Sequence, residues 1–285
     1  MTRWRLGILA TLVLCLAGAA GWMLLRRDPP QRADRASRKI RTHEQQIRDH
    51  LFWSLQPVKV TNCELKRFGE PNDGGYLLCG NLLTSVEAGY SYGISGYDGW
   101  GCDVSKQLGI PLHQYDCFDL RRPACPGGHT IFHPECVAGT RATIDGRPFD
   151  TLENQIAGNG DGTRHLVVKI DVEGAEWDTF LQTPDAVLAR IDQMAVEFHD
   201  VGDARFILAV AKLKESFHVA HLHFNNYSCD ESLDPFPARA YEVLFVNKRI
   251  GVTDGSPAPP GPHPIDSPND PRAKDCQVTA LRPKE

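Results

Sequence analysis

Between residues 58 and 250, short apolar runs alternate with stretches whose apolar positions recur at helical spacing. The runs predict strands over Tyr90–Ile94, Leu112–Asp116, Thr130–His133, Leu166–Asp171, Ile191–Phe198, His218–Phe224 and Tyr241–Asn247. Helices are expected at Cys102–Leu108, Thr151–Ala157, Trp177–Arg190 and Ala204–Phe217. The last carries Phe206, Val210, Leu213 and Phe217 on one face, behind Asp203 as a capping acid. Such alternation is the pattern of a sheet wound with crossover helices, so the fold class is α/β, Rossmann-like, seven-stranded and mostly parallel. Leu166, Val167, Val168 and Ile170 form a nearly unbroken apolar run, as in a strand buried on both faces.

The flanks differ. Residues 6–25 carry no charge, and a helix of that length is about 30 Å long, enough to cross a bilayer. Residues 1–27 therefore read as a membrane anchor of the signal-anchor type, with a cleaved signal ending near Ala17-Gly18-Ala19 as the alternative. Residues 28–57 read as a polar helical stalk, stopped from the span by Pro29-Pro30 and bearing Ile40, Ile47 and Leu51. Residues 58–250 are the α/β domain. Residues 251–285, with eight prolines, read as a loosely ordered tail.

Charge narrows the partners. A net charge of -5 and a pI near 6.1 give no support to sequence-independent nucleic-acid binding. The expected partners are a membrane, through residues 6–25, and a small-molecule, glycan or lipid acceptor. Arg26, Arg27, Arg32, Arg35, Arg38, Lys39 and Arg41 follow the span and favour a cytoplasmic domain. Eight cysteines outside the span (Cys63, Cys79, Cys102, Cys117, Cys125, Cys136, Cys229 and Cys276) suit an oxidising compartment instead. The side of the membrane stays open. Asn226-Tyr227-Ser228 is an acceptor sequon.

Candidate chemistry gathers where strands end, because open parallel sheets place their sites at carboxyl ends. Asp171, Glu173 and Glu176 crowd the end of the fourth predicted strand. Helix-dipole stabilisation accounts well for Glu176, partly for Glu173 and hardly for Asp171. His199 ends the next strand and is the general-base candidate, since a neutral imidazole can take a hydroxyl proton. His223 and Asn225-Asn226 end the sixth and are candidates for the pocket. Gly93, Ser95 and Gly96 lie in a glycine-rich turn whose backbone N–H groups can receive a carboxylate. This turn is neither G-x-G-x-x-G nor a P-loop. Asp116, with Asp119 behind it, can accept ribose hydroxyls. Asp73-Gly74-Gly75-Tyr76 is a turn that allows close backbone approach to a ligand. Cys125, His129, His133 and Cys136 could ligate zinc, but lack a C-x2-C knuckle. Disulfides or free thiols among Cys117, Cys125 and Cys136 fit better, and no metal is expected.

The run Lys169-Ile170-Asp171-Val172-Glu173-Gly174-Ala175-Glu176-Trp177 resembles the signature of the FkbM-like S-adenosylmethionine-dependent methyltransferases. The DGGY turn (73–76), the YGISG loop (92–96), YDCFD (115–119) and VEFH (196–199) follow the same order. The resemblance implies a class I methyltransferase sheet and S-adenosyl-L-methionine as cofactor. It places Gly93, Ser95, Gly96, Asp116, Asp73 and Gly74 near that cofactor. Asp171 would lie beside its sulfonium, with Glu173 and His199 as its catalytic companions. The implied reaction is O-methylation of a small-molecule, sugar or lipid hydroxyl. Two rival readings are a membrane-anchored glycosyltransferase using Asp171-Val172-Glu173 as a metal-binding acid pair, and a non-catalytic Rossmann-like binding domain.

Overall fold

The computed structural model describes residues 31–259 and 262–278, with side chains from residue 43 onward. In chain order the elements are α1 (Gln31–Ser54), β1 (Val58–Val60), β2 (Leu65–Gly69), β3 (Gly75–Cys79), β4 (Ala88–Tyr92), α2 (Gly99–Leu108), β5 (Pro111–Tyr115), β6 (His129–His133), β7 (Cys136–Val137), β8 (Ala142–Ile144), β9 (Arg147–Asp150), α3 (Leu152–Gly158), β10 (Leu166–Asp171), α4 (Glu176–Gln182), α5 (Asp185–Leu188), β11 (Ile191–His199), α6 (Ala204–Ser216), β12 (Phe217–Phe224), β13 (Ala240–Asn247) and β14 (Thr253–Pro257).

Seven strands form the main sheet, in the order β12-β13-β11-β10-β4-β5-β6. β11, β10, β4, β5 and β6 run parallel, and β13 is antiparallel to both its neighbours. The sheet is Rossmann-like and mostly parallel, as expected. Chain order runs outward from β4 to β5 and β6, then restarts at β10 on the other side. That restart is a topological switch point, and open α/β sheets bind their ligands in the crevice outside the carboxyl ends of the strands at such a point.

Alternation along the strands divides the core between two faces. Tyr90, Tyr92, Val168, Ile170, Met194, Val196 and Phe198 pack on one face with α3, α4 and α6. Val167, Ala195, Leu244 and Val246 pack on the other, with Trp100 and Val104 of α2 and the β2–β3 hairpin. The hairpin is fastened by Gln193, which accepts from the Cys79 N–H at 2.7 Å and donates to the Cys79 carbonyl at 3.0 Å.

Several expectations change. The helix expected over Trp177–Arg190 is two helices, because Thr183 is extended (φ -65°, ψ 125°) ahead of Pro184, which starts α5. The β2–β3 hairpin, the β7–β9–β8 sheet and the β1–β14 pair are too short or too polar to show in the pattern. The solvated stalk is only partly so: Leu51, Phe52 and Leu55 at the end of α1 are buried in the main core. The loose tail is also revised for residues 251–259 and 262–278. There β14 pairs with β1, Cys276 is bonded to Cys229, and Asn269 is 2% exposed. The expected span over 6–25 lies outside the described residues. Among those described, no helix is long and apolar enough to cross a membrane.

Candidate active site at the switch point

β10 and β11 end side by side, with Asp171 paired in register to Glu197 and β11 running on to His199. β4 ends at Tyr92, and the chain turns through Gly93 (φ +71°), Ser95 (φ +47°) and Gly96 (φ +74°). A Cβ on Gly93 would lie 1.6 Å from the Asp171 carbonyl oxygen, so only glycine allows the loop to lean on β10 here. Lys169 Nζ cinches the same contact, donating to the carbonyls of Tyr92 (3.2 Å) and Gly93 (2.9 Å) and lying 3.3 Å from Asp171 Oδ2.

Asp171 sits in a chain of polar groups. Tyr76 Oη is 3.1 Å from Asp171 Oδ2 and 3.0 Å from Glu197 Oε2, and Asn225 Nδ2 donates to Glu197 Oε1 at 2.7 Å. Burial, followed by the charges of Asp171 and Glu242, pushes the Glu197 carboxyl up to about 8. Asp171 Oδ1 is 3.9 Å from His199 Nε2, and Glu173 Oε2 is 3.5 Å from it. The other ring nitrogen, Nδ1, is 2.9 Å from Glu176 Oε1, which also accepts from the Val172 N–H at 2.9 Å. Burial alone would lower the His199 ring. The Glu176 hydrogen bond and charge, then Glu197 and Asp171, outweigh this and push it up to about 9. With Nδ1 committed to Glu176, Nε2 is the nitrogen left to face the crevice. Trp177 Nε1 donates to the His199 carbonyl at 2.7 Å and fixes the strand end.

The structure thus brings together Asp171, Glu173, His199 and the Gly93–Gly96 loop. Asp116 lies at the next strand end, with its oxygens largely engaged: Oδ2 accepts from the Ser95 N–H (2.7 Å), and Oδ1 accepts from Phe118 (2.8 Å) and Asp119 (3.0 Å). Its demonstrated work is to brace the glycine loop, and Ser95 spends its N–H on that brace. Asp119 is ion-paired with Arg121 at the surface. In the DGGY turn, Asp73 accepts from Asn269 at 3.2 Å, and Gly74 has φ +80°. Tyr76 is the member of that turn that reaches the acids. His223 stands apart, 3.5 Å from Glu242 Oε2, whereas Asn225 touches the cluster through Glu197.

Tyr76, Glu197, Lys169 and Glu176 were not singled out as site residues, yet two left a trace in the sequence. Lys169 and Glu197 are charges inside otherwise apolar strands, and a charge there needs a partner. Glu176 does more than favour a helix dipole: it is fully buried and holds the imidazole. The zinc set is taken apart by disulfides Cys102–Cys125 and Cys117–Cys136, which join Cys63–Cys79 and Cys229–Cys276 so that all eight cysteines of the described residues are paired. The sequon asparagine, Asn226, is buried and its side chain donates to the Asp270 carbonyl at 3.0 Å, so the fold uses it as a tether.

Donor atoms of Asp171, Glu173 and His199 lie within 4.8 Å of one another. Two carboxylates and an imidazole could hold a divalent cation. The same crevice, with a glycine loop and an acid rim, could hold the cationic sulfonium of a methyl donor.

No protein-family model matches the chain, and no curated protein matches it. Among solved structures, the methyltransferase FkbM of Methylobacillus flagellatus KT is similar over 57% of this chain and 44% of its own, at 12% identity and a TM-score of 0.37. This chain spans under half of that structure, so the chemistry has to be read from the site.

Proposed function

We propose that the protein is an S-adenosylmethionine-dependent methyltransferase acting on a hydroxyl group of a small molecule, sugar or lipid. The observation that carries this reading is the meeting of Asp171, His199 Nε2 and the Gly93 turn at the point where strand order reverses. The motif order along the chain supports the same assignment. The cofactor supplies a methyl group on a positive sulfur, ready for displacement. The chain's own work is alignment and proton management. Asp171, steadied by Tyr76 and Lys169, would hold the cofactor's positive end and orient the acceptor. Neutral His199 takes the hydroxyl proton at Nε2, while Glu176 steadies the imidazolium that forms. Because the His199 ring is pushed up to about 9, turnover should climb with pH towards that value.

The paired cysteines suit a domain in an oxidising compartment, and the charge-free stretch 6–25 would hold it to a membrane. One observation favours a second reading: the three-donor set of Asp171, Glu173 and His199 also suits a metal-dependent glycosyltransferase. The deciding experiment follows labelled methyl transfer from S-adenosylmethionine into a panel of sugar, lipid and small hydroxyl acceptors. Asp171→Asn and His199→Asn, the latter keeping a donor for buried Glu176, should each abolish most of it while melting normally. Full activity in both variants would overturn the assignment.

A further inference from the structure

Residues 262–278 cross the sheet edge beside the site and are held by contacts of two kinds. One kind is indifferent to pH. Cys276 is bonded to Cys229, Asn72 Nδ2 donates to the Pro268 carbonyl (2.7 Å), Asn269 Nδ2 donates to Glu242 (2.7 Å), and Asn226 exchanges two hydrogen bonds with the backbone of Asp270 (2.7 and 3.0 Å). The other kind is ionic. His221 and His223 lie two apart on β12 and so share a face. His221 Nε2 is 2.9 Å from Asp266 Oδ1, and His223 Nε2 is 3.6 Å from Asp275 Oδ1.

We infer that residues 262–278 form an acid-tightened strap, in which protonated His223 on β12, set between Glu242 and Asp275, grips the strap and releases it as pH rises, while His221 pairs with Asp266 alongside. This goes beyond the proposed function and holds whatever chemistry occurs at Asp171. The groups facing the two imidazoles make the sign clear. Glu242 on β13 lies 3.5 Å from His223 Nδ1, and the strap supplies Asp275 and Asp266. The His263 ring stands edge-on to His221 at 6.3 Å, and Lys59 and His263 line the same cavity of about 440 Å³ as His221. Carboxylates dominate this set.

Both His223 nitrogens are buried and, among the described residues, make no hydrogen bond; the same is true of Asp275 Oδ1. At 3.5–3.6 Å these contacts hold by charge rather than by directed hydrogen bonds. Without the proton little remains of them. Burial would lower the His223 ring, but Glu242, then Asp266 and Asp275, reverse that and raise it. A histidine raised on strap closure adds grip in full below its open-state value and loses it as pH climbs through the closed-state value. Asp266 is lowered: burial opposes this, while the His221 hydrogen bond and charge prevail. The grip therefore also has an acid limit, reached when that carboxylate takes its proton.

A loosened strap would be felt at the site. Cys276 Sγ is 3.7 Å from the Asn225 carbonyl, Asn225 holds Glu197, and Glu242 is the register partner of Glu197.

Hydrogen exchange on the full chain in detergent micelles, corrected for the intrinsic pH dependence of exchange, reads the strap directly. Strap amides should be several-fold better protected at about pH 5.5 than at about pH 8, on either side of an ordinary histidine value, while β10 amides should show no such difference. His221→Gln/His223→Gln should erase the difference, and Asp266→Asn/Asp275→Asn should do the same. If the histidine pair also loses β10 protection, the aspartate pair decides. Equal strap protection at both pH values in the native chain would overturn the inference. So would a difference that survives in a double variant whose β10 protection is intact.

Discussion

Two polar clusters flank β4 and treat their charge in opposite ways. On one face, Tyr90, Tyr92, Tyr115, His113 and His133 stack ring on ring, with centroids 4.4–4.9 Å apart for Tyr115–His133, Tyr92–Tyr115 and Tyr90–His113. Asp161 closes that stack. It accepts from Tyr90 (2.7 Å) and Arg164 (2.8 Å) and lies 3.3 Å from His113, while Asn159 donates to Tyr115 at 2.7 Å. Burial keeps these rings neutral: His133 is pushed down to about 4 by burial and then by His113, and Tyr90 is raised by burial and then by Asp161. The single acid is matched by a single guanidinium.

The rim at Asp171 has no such balance. Asp171, Glu173, Glu176 and Glu197 share one imidazole, His199, and one ammonium, Lys169. Glu197 and His199 are driven up to about 8 and about 9. Glu176 and Glu197 at the rim are buried like Asp161, so burial of an acid does not by itself separate structure from chemistry. Residual charge does. A closed account of donors and acceptors holds a fold together, while groups at a strand end shifted up to about 8 and about 9 are suited to proton transfer in a reaction.

The largest effect that tests this contrast is on turnover. Asp171→Asn or His199→Asn, which keeps a donor for buried Glu176, should lower methyl transfer by at least about a hundredfold with little change in melting temperature. Asp161→Ala should do the reverse. It leaves the Tyr90 hydroxyl, His113 and Arg164 without their carboxylate, and should cost about 3 kcal/mol in denaturant unfolding while cofactor affinity is unchanged. An exchange of these outcomes would break the comparison.

Glu197→Gln gives a finer test. The folded state keeps a proton on Glu197 that the unfolded chain releases, so native stability should fall as pH rises from the ordinary carboxyl value through about 8. Glutamine mimics the neutral acid and should flatten that fall, by on the order of 1–3 kcal/mol between about pH 5 and about pH 8. Paired denaturation curves at the two pH values measure it. The smallest effect belongs to neither cluster. Asp203 caps α6 by accepting from the Arg205 N–H at 2.8 Å, and Asp203→Ala should cost about 1 kcal/mol without touching turnover.

Much of the sheet was legible in the sequence. Leu166–Asp171 appears with the expected bounds, and the other six main strands lie within two residues of theirs, because strands buried on both faces announce themselves as apolar runs. Asp203 caps its helix as the pattern implied. Asp171 and His199 were placed at strand ends by register alone, and the sheet brings them together. What stayed hidden depends on contacts between distant segments. Tyr76 reaches Asp171 across 95 residues because the β2–β3 hairpin folds over the sheet. The strap reads as proline-rich coil until Asn226, His221 and Cys229 are seen to hold it. Asp116 was correctly placed at its strand end, yet its neighbours claim most of its oxygens, which no spacing rule reveals.

Calorimetric titration of the full chain with S-adenosylmethionine, set beside nucleotide sugars with manganese, tests the central claim most directly. The account predicts saturable binding of S-adenosylmethionine that weakens in Asp171→Asn, and no heat from the sugars. Binding of a nucleotide sugar only with manganese, and silence towards S-adenosylmethionine, would contradict it.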